Sequence, residues 1–482
     1  MYSSNYNLSH RENNPRSRQL ISNYMARLFG TDGIRGEAGS FPLDAPTVRA
    51  IGYSLASHLE RGRDNPPFIV TGRDTRESGE WIERALIAGA RSAGARCDSA
   101  GIITTPGVAF LTRSLGADAG IVISASHNPY QDNGIKIFEP SGRKLNDATE
   151  RLIEADIHQG ENRKVSEDSK GFDREPLVDQ HSAEKLRNLY RQYLTEQIGR
   201  GLTLEGLTLV VDCANGAAST IAPELFSELG ARVIAMNHTP NGLNINRNCG
   251  SLFIDGLRER TEREDADLGV AFDGDADRAL FVDSLGGFVD GDATLWILAK
   301  YLKERGVLRD NTVIATVMSN IGLDIALQKI DVHLVRTDVG DKYVLEELTR
   351  TGAAIGGEQS GHIILPQLSL AGDGIITTLC LLRAVQESHQ NVAELATGFQ
   401  RLPQVLVNVP VQRKRPFEEL PEVANLVHQT QERLGANGRL LLRYSGTEAL
   451  ARVMIEGENQ LEIDAYARAL AETISNSLGA PS

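Results

Sequence analysis

Three aspartates at alternate positions form the strongest candidate metal site in this sequence. The segment DGDADR places Asp273, Asp275 and Asp277 with only glycine and alanine between them. Carboxylates this close repel one another unless a cation neutralises them, and small spacers let the backbone fold around that cation. An EF-hand would need glycine and glutamate where Arg278 and Ser284 stand. Oxygen ligands beside an arginine therefore favour Mg²⁺ next to a phosphate over calcium sensing. A solvated acidic turn is the alternative, and the apolar runs LGVAF and ALFVD on either side of the loop argue against it.

A serine and a histidine follow directly after a short apolar run. In SASHNP, Ser126 and His127 come after GIVI, so we expect them on a turn at the carboxyl end of a strand, where open α/β sheets bind ligands. The serine could act as a nucleophile or as a phosphate carrier. The G-x-S-x-G elbow of hydrolases is not present around it. Lys136, in the following NGIK, offers a cation or proton donor, whereas a purely structural role for the serine and histidine stays open.

A second polar loop suits a polyhydroxylated ligand. GEQSGH gathers Glu358, Ser360 and His362, and a carboxylate, a hydroxyl and an imidazole together can bind a sugar. A helix cap and turn would explain the same residues equally well.

Other loops carry the groups that commonly bind phosphate, which are arginine forks and backbone amides. In RYSGTEALAR these groups are Arg443, Ser445, Gly446, Thr447 and Arg452. Gly-rich segments of the same kind carry Arg35 in FGTDGIRG and Arg73 and Arg76 in TGRDTRESG. There is no Walker motif, so a nucleoside triphosphatase is not favoured.

Short apolar runs alternate with helical patterns from Met25 onward. The run FIVT at 68–71 precedes a segment with apolar residues near the 3.6-residue period, and this rhythm recurs along the chain. Strand, turn and helix in this order are typical of βαβ units on sheets covered on both faces.

One pattern occurs three times, in segments 117–129, 265–278 and 352–364. Each has small residues, then a short apolar strand, then a polar loop with glycine. We interpret them as one unit repeated in three related domains, although any α/β chain offers several such loops. The segment from residue 399 onward lacks this pattern. It instead contains a strand, a helix, two strands and a helix in that order, which indicates a small α+β domain. The sequence thus predicts an α/β fold with three related, mixed-sheet, three-layer α/β domains and a C-terminal α+β domain.

The length of 482 residues exceeds a single core, at roughly 150 residues per domain. We expect α/β domains over 25–175, 176–289 and 290–398, and the α+β domain over 399–482. Residues 1–24 contain no apolar stretch of signal-peptide length and are expected to be a disordered arm, with Met25 an alternative start.

The charge balance is acidic, with 50 basic and 64 acidic residues and a net charge of −14. Such a surface repels nucleic acid and anionic membranes, so neither is expected as a partner. The four cysteines form no C-x-x-C pair, which argues against a zinc site and favours a reducing cytoplasm.

Six motifs in order resemble the α-D-phosphohexomutase superfamily. They are FGTDGIRG, SASHNP with NGIK, DGDADR, VGDKYVLEEL, GEQSGH and RYSGTE, and the resemblance runs from Met25 to near the C-terminus. It implies a heart-shaped protein of four domains around a central cleft.

The resemblance also implies roles for individual residues. Ser126 resembles the serine that carries phosphate in the active enzyme, and this phosphoserine would be a further Mg²⁺ ligand beside Asp273, Asp275 and Asp277. His127, Lys136 and Arg35 are expected in the catalytic group, and the choice of acid or base among them stays open. The expected substrate-binding residues are Arg278, Val339, Gly340, Asp341, Glu358, Ser360, His362, Arg443, Ser445, Gly446, Thr447 and Arg452.

The implied activity is reversible phosphate transfer between O6 and O1 of an amino-hexose, feeding UDP-N-acetylglucosamine and cell-wall synthesis. Glucosamine 1,6-bisphosphate or glucose 1,6-bisphosphate would act as activator, and a homodimer is compatible with the resemblance. Detailed motif forms, with INRNCGS at 245–251, resemble the branch that acts on glucosamine phosphate; LFIDG after CGS and Ala449 depart from it. Phosphomannose or phosphoglucose as substrate, a phosphatase and a non-catalytic sugar-phosphate sensor are the alternatives.

Overall fold

The computed structural model describes residues 27–30, 32–60, 65–159, 179–445 and 448–479. The chain divides into two compact units. The first runs to Leu189 and includes Asn241–Asn244, and the second comprises Tyr190–Pro240 with the chain from Ile245 onward. The predicted arm over 1–24 lies outside the described residues, as do Gly446 and Thr447.

A six-stranded mixed sheet forms the first unit, in the order β1-β2-β6-β5-β3-β4. Its strands are β1 (Phe29–Gly30), β2 (Gly33–Glu37), β3 (Phe68–Arg73), β4 (Arg96–Ile102), β5 (Ala119–Ile123) and β6 (Asp132–Phe138). The apolar run GIVI lies within β5, every residue of which is buried. Burial on both faces of the sheet explains why this strand is continuously apolar.

Helices cover both faces of this sheet. They are α1 (Ala45–Glu60), α2 (Gly79–Ser92), α3 (Thr105–Ser114) and α4 (Asp147–Gln159). On one face, Ile69 and Ile121 share a core with residues of α1 and α2. On the other face α3 lies so close that a Cβ on Gly120 would stand 1.9 Å from Thr112 Oγ1. The lack of a side chain at Gly120 permits this approach. Because helices cover both faces of the sheet, the domain has three layers.

The second unit contains two further mixed sheets and a small antiparallel one. The five-stranded sheet has the order β11-β10-β9-β7-β8, and the four-stranded sheet has the order β13-β12-β14-β15. Their strands are β7 (Thr208–Asp212), β8 (Arg232–Met236), β9 (Leu268–Phe272), β10 (Ala279–Asp283), β11 (Phe288–Val289), β12 (Thr312–Thr316), β13 (His333–Thr337), β14 (Gly356–Gly357) and β15 (Ile363–Ile364).

The three mixed sheets share one strand order. In each, the strand of the repeated pattern pairs in parallel with a central strand, β5 with β3, β9 with β7 and β14 with β12. In each it then pairs antiparallel with the strand that follows its polar loop. A fourth strand lies parallel on the far side of the central one. The structure therefore confirms the prediction that one supersecondary unit is used three times.

The C-terminal part is an α+β domain, as predicted. Its antiparallel sheet has the order β16-β18-β17, with strands β16 (Gln404–Pro410), β17 (Arg439–Tyr444) and β18 (Leu450–Glu456). Two helices, α13 (Pro421–Leu434) and α14 (Gln460–Leu478), complete its apolar core. The side-chain amide of buried Asn320 accepts from Leu402 N at 3.0 Å and donates to Leu402 O at 3.0 Å, which fixes the chain that leads into this domain.

The remaining helices are α5 (Gln180–Gln192), α6 (Ala218–Glu228), α7 (Ile254–Arg263), α8 (Gly291–Glu304), α9 (Ile321–Gln328), α10 (Asp341–Thr351), α11 (Gly374–Ser388) and α12 (Val392–Ala396). Across the described ranges, none of the helices combines the length and apolar character that a membrane crossing requires. Three mixed-sheet α/β domains and one α+β domain confirm the predicted fold class, while the predicted domain boundaries stay predictions.

Candidate active site

Ser126 lies on a tight turn directly after β5. Its backbone is in the left-handed region, with φ at 52°, which costs a non-glycine residue about 1 kcal/mol. The residue is 1% exposed, its N–H donates to Ser124 Oγ at 2.9 Å, and its Oγ lies 3.3 Å from His127 Nδ1. The turn therefore sets the serine and the histidine side by side at the carboxyl end of a strand, as the sequence predicted.

Three basic side chains surround one carboxylate in the same unit. Asp32 lies 3.4 Å from the ammonium of buried Lys136 and 2.5 Å from that of Lys144, and it also pairs with Arg35. Lys136 stands on β6 opposite Val122 of β5, the strand that leads to Ser126. The cluster therefore keeps a net positive charge, which suits an anionic ligand.

Arg73 and Arg76, which the sequence offers as phosphate-binding residues, both contact carboxylates of the first unit. Arg73 Nε lies 3.2 Å from Glu83 Oε2, inside the first unit. The side chain of Arg76 is completely buried beside Asp74. The burial of Arg76 argues against its expected contact with phosphate, while that of Arg73, which is partly exposed, stays a prediction.

The three aspartates of DGDADR follow β9 and are buried together. Asp273 and Asp275 are inaccessible to solvent, Asp277 is 6% exposed, and one carboxylate oxygen from each lies within 4.8 Å of the others. Ala276 has φ at 57°, and its carbonyl accepts from Gly374 N, the first residue of α11, at 3.0 Å. The loop therefore curls back on itself and rests against the start of a helix.

This donor set fits Mg²⁺. Three buried carboxylates whose oxygens converge carry more negative charge than a protein interior tolerates without a cation. Oxygen-only ligands are those that hard divalent cations prefer. Within the described ranges, this is the group of acidic, histidine or cysteine side chains that meets the spacing of a metal site.

His362 connects the acidic loop with a second loop of the same unit. Its Nδ1 lies 3.6 Å from Asp277 Oδ1 and its Nε2 lies 3.7 Å from Asp341 Oδ2. Burial lowers the pKa of His362, but the charges of Asp277, Asp341 and Glu358 outweigh it and raise that pKa to about 9. The imidazole therefore lies between a carboxylate of the acidic loop and a carboxylate at the start of α10.

The predicted sugar-binding residues meet at the N-terminus of α10. Glu358 Oε1 accepts from Gly340 N at 3.1 Å, and Ser360 Oγ lies 3.5 Å from Glu358 Oε2. Val339, next to Gly340 in the chain, is 42% exposed and so leaves this part of the loop accessible to solvent. The structure thus brings GEQSGH and VGD together, with a carboxylate and a hydroxyl available for polar groups of a ligand.

Arg443 and Arg452 lie side by side in the C-terminal sheet, as partners across β17 and β18. Ser445 follows at the end of β17, and its carbonyl accepts from Lys414 Nζ at 2.6 Å. Arg452 also pairs with Glu448 at 3.2 Å. Gly446 and Thr447 of this predicted phosphate site lie outside the described residues. Two guanidinium groups and an ammonium in one place favour binding of an anion.

Several residues of these clusters were not predicted. Asp32 stands within the FGTDGIRG motif itself, which was a usable signal. Asp74 likewise stands within TGRDTRESG, whereas Lys144 and Lys414 have only their residue type in the sequence and their roles depend on long-range contacts. The backbone N–H of Arg278 donates to Asp273 Oδ1 at 3.2 Å, and the expected contact of Arg278 with substrate stays a prediction.

A serine on a strand-end turn and a buried acidic triad, on domains of one shared topology, define a phosphoryl-transfer protein of the phosphohexose mutase class. The chain matches the four domains of the phosphoglucomutase/phosphomannomutase family, namely the α/β/α domains I, II and III over residues 26–164, 188–286 and 290–402 and the C-terminal domain over 406–473. It belongs to this family.

Relatives and solved structures agree with that membership. The chain is 46% identical over 454 residues to the phosphoglucosamine mutase of Solibacter usitatus, covering 94% of this chain and 99% of that protein. It is 47% identical over 461 residues to the phosphoglucosamine mutase of Desulforamulus reducens, covering 94% and 100%. Its fold is similar to that of a phosphoglucomutase/phosphomannomutase family protein from Burkholderia thailandensis, with a TM-score of 0.74 at 22% identity, covering 94% and 97%.

Proposed function

We propose that this protein is a phosphoglucosamine mutase, an isomerase-class phosphotransferase that interconverts glucosamine 6-phosphate and glucosamine 1-phosphate. The observation that carries the proposal is the 43–47% identity, over 94% of the chain, to proteins that bear this name. The loops described above supply the groups that such a reaction needs: a buried serine, an acidic triad and clustered cations.

The reaction consists of two phosphoryl transfers with Ser126 as the carrier. In the first, the bond between phosphorus and Ser126 Oγ breaks, a new bond forms to O1 of glucosamine 6-phosphate, and the O1 proton passes to a base. Ser126 Oγ takes up a proton as it leaves. In the second transfer, the bond between O6 and the phosphorus of the 6-phosphate breaks, that phosphorus bonds Ser126 Oγ, Oγ gives up its proton and O6 takes up a proton. His127 at 3.3 Å from Ser126 Oγ and the buried Lys136 are the candidates for these proton transfers.

Asp273, Asp275 and Asp277 would hold Mg²⁺, and a phosphate on Ser126 would be a further ligand. When bound, the cation supplies charge neutralisation and polarisation of a phosphoryl group. One carboxylate oxygen of each aspartate lies within 4.8 Å of the others, so the fold of the loop brings the donor set together.

Recognition of the substrate is divided among the remaining loops. Arg443, Arg452 and Ser445 would hold the phosphate that is not reacting. Glu358 and Ser360 would bind the sugar, close to Val339–Asp341 and to His362 and Arg278. Because the sugar must present first one and then the other phosphate to Ser126, these contacts have to accept two orientations of a bisphosphate.

Glucosamine 1,6-bisphosphate or glucose 1,6-bisphosphate would load Ser126 with phosphate. A homodimer and a cytoplasmic location belong to the same hypothesis. The net charge of −14 would repel an anionic substrate on average, so the substrate would be bound by the local clusters of basic side chains.

One assay tests the substrate. The purified protein, with MgCl₂ and catalytic glucose 1,6-bisphosphate, is given glucosamine, mannose or glucose 6-phosphate, and the 1-phosphates are quantified. The proposal expects the highest kcat/KM for the glucosamine substrate. A preference for mannose or glucose would assign the protein to another phosphohexomutase, release of inorganic phosphate would indicate a phosphatase, and tight binding without turnover would indicate a sensor.

A second assay tests the carrier. Ser126→Ala should take up no phosphate in intact-mass measurements and should lose turnover even with added bisphosphate. Ser182→Ala, at an exposed position that bonds Asp179, serves as the control and should behave as wild type. Near-wild-type turnover in Ser126→Ala would contradict the assignment.

A further inference from the structure

Arg76 is enclosed by the segment that carries Ser126, which we call the serine loop and define as residues 124–132. Arg76 is 1% exposed, yet it lies on a different segment, three residues after the end of β3. Its Nη2 donates to Ser126 O at 3.0 Å and to Asn128 O at 2.9 Å. Its Nη1 donates to Asp132 O at 3.0 Å and to Pro129 O. Four carbonyl groups of the serine loop thus converge on one guanidinium.

Asp74 completes the set of partners of this guanidinium. Arg76 Nε donates to Asp74 Oδ2 at 2.9 Å, so all five N–H donors of the arginine are engaged within the protein. The ion pair is completely buried on both sides. A buried arginine without such a carboxylate would be strongly unfavourable, which explains why the two residues occur together.

The same carboxylate reaches the backbone of Ser126 by a second route. Ser124 Oγ donates to Asp74 Oδ2 at 2.7 Å and in turn accepts from Ser126 N at 2.9 Å. Asp74 N also donates to Ile123 O at 3.1 Å, at the end of β5. Both the N–H and the carbonyl of Ser126 are therefore held by one ion pair.

This arrangement opposes a conformational preference of the chain. Ser126 has φ at 52°, a region that a serine rarely occupies unless its surroundings impose it. The hydrogen bonds to the N–H and to the carbonyl of Ser126 hold the residue in this region. Without them the turn would relax and the direction of Oγ would change.

We propose that Arg76, supported by Asp74, is a positioning residue that holds Ser126 in the conformation required to accept and return phosphate. The inference rests on the proposed function, because it takes Ser126 as the phosphate carrier. It assigns Arg76 no contact with substrate, since its donors are all engaged by the protein. The serine loop is held by the planar arrangement of the guanidinium N–H groups of Arg76, and not by its positive charge alone.

The test separates geometry from charge with Arg76→Lys. Lysine keeps the charge beside Asp74, but one ammonium cannot replace a fork that reaches four carbonyls. The measured quantity is the rate at which Ser126 takes phosphate from glucose 1,6-bisphosphate, followed by quenched intact-mass spectrometry. We expect this rate, and kcat, to fall on the order of 100-fold through misplacement of the hydroxyl. KM for the sugar phosphate should stay near the wild-type value, which a general loss of structure would not allow.

Arg383→Lys is the matched control. Arg383 Nη2 also donates to backbone carbonyls, Ile198 O at 2.7 Å and Arg200 O at 3.0 Å, but these lie far along the chain from the serine loop. This variant should phosphorylate Ser126 at the wild-type rate. A wild-type rate in Arg76→Lys as well would overturn the inference.

Ser124→Ala provides a second variant in case Arg76→Lys does not fold. It removes the link between Asp74 and Ser126 N without changing any charge. We expect a slower phosphorylation of Ser126 with unchanged circular dichroism, and an unaltered rate would overturn the inference. A wild-type protein that takes up no phosphate from the bisphosphate would instead contradict the proposed function, and this inference with it.

Discussion

Arg443 on β17 and Arg452 on β18 are direct partners in an antiparallel pair, so two positive charges stand opposite each other. Burial lowers the pKa of Arg443, the nearby Arg452 lowers it further, and Asp338 acts in the opposite direction. Like charges at opposed positions destabilise a sheet. A protein keeps such a pair where an anion will be bound, and this is the strongest physical argument for a phosphate site on the C-terminal domain.

Replacement of Arg443 should separate stability from binding. In Arg443→Met the repulsion with Arg452 disappears, so we expect the melting temperature of the free protein to stay the same or to rise. KM for glucosamine 6-phosphate should increase about tenfold to a hundredfold, because a charge-assisted bond to phosphate is lost. Arg468→Met, whose Nε bonds Asp464 O on α14, is the control. An unchanged KM in Arg443→Met would argue against the phosphate site.

Removal of one carboxylate should abolish the response to magnesium. Wild-type protein should melt higher in MgCl₂ than in EDTA, by about 5 °C or more when the free cation is well above its dissociation constant. Asp275→Asn should melt above wild type in EDTA, because a buried repulsion is relieved, and should show no shift with MgCl₂. Asp331→Asn, at an exposed position, should respond like wild type. A full magnesium shift in Asp275→Asn would exclude this loop as the metal site.

The stability of the protein should depend on the titration of Asp292, near the start of α8. Its surroundings are polar, since Asp292 Oδ2 accepts from Asn320 N at 2.9 Å and Arg401 lies 3.6 Å away. Burial nevertheless raises the pKa of Asp292 from 3.8 to about 6. The folded protein therefore binds this proton more tightly than the unfolded chain, so the contribution favours folding below about pH 4 and is lost as the pH rises through about 6.

Asp292→Asn removes that titration. Relative to wild type, the variant should gain up to about 3 kcal/mol in its free energy of unfolding between about pH 4 and pH 7. Urea denaturation at both pH values measures the difference, and the titration of groups that the substitution does not affect cancels because they are present in both proteins. A difference that does not change with pH would show that Asp292 is ionised throughout this range.

Glu358 should be needed for substrate recognition and not for the fold. In Glu358→Gln the amide oxygen can still accept from Gly340 N, whereas the charge available to a sugar is removed. A neutral acceptor makes a weaker bond, so kcat/KM should fall about tenfold with little change in melting temperature. Glu346→Gln, exposed on α10, is the control. Equal kcat/KM values in both variants would place the sugar elsewhere.

The sequence was sufficient for features that depend on neighbouring residues. The apolar run before SASHNP predicts a buried strand with Ser126 at its end, and the alternate aspartates predict a metal loop after β9. The repeated pattern predicts three related domains, and the shared strand order confirms it. The spacing of apolar and charged residues along the chain is a local property, so it can be recognised without a structure.

Tertiary structure alone decided which of the similar arginines is enclosed by the protein. Arg76 follows β3 and Arg443 lies near the end of β17, yet Arg76 is enclosed by four carbonyls and Arg443 faces Arg452. The contact of His362 with both Asp277 and Asp341 likewise joins residues far apart in the chain. Sequence determined the chemistry that each loop can perform. The fold determined which groups are buried and paired, because desolvation and hydrogen bonding depend on neighbours that only the packed chain brings together.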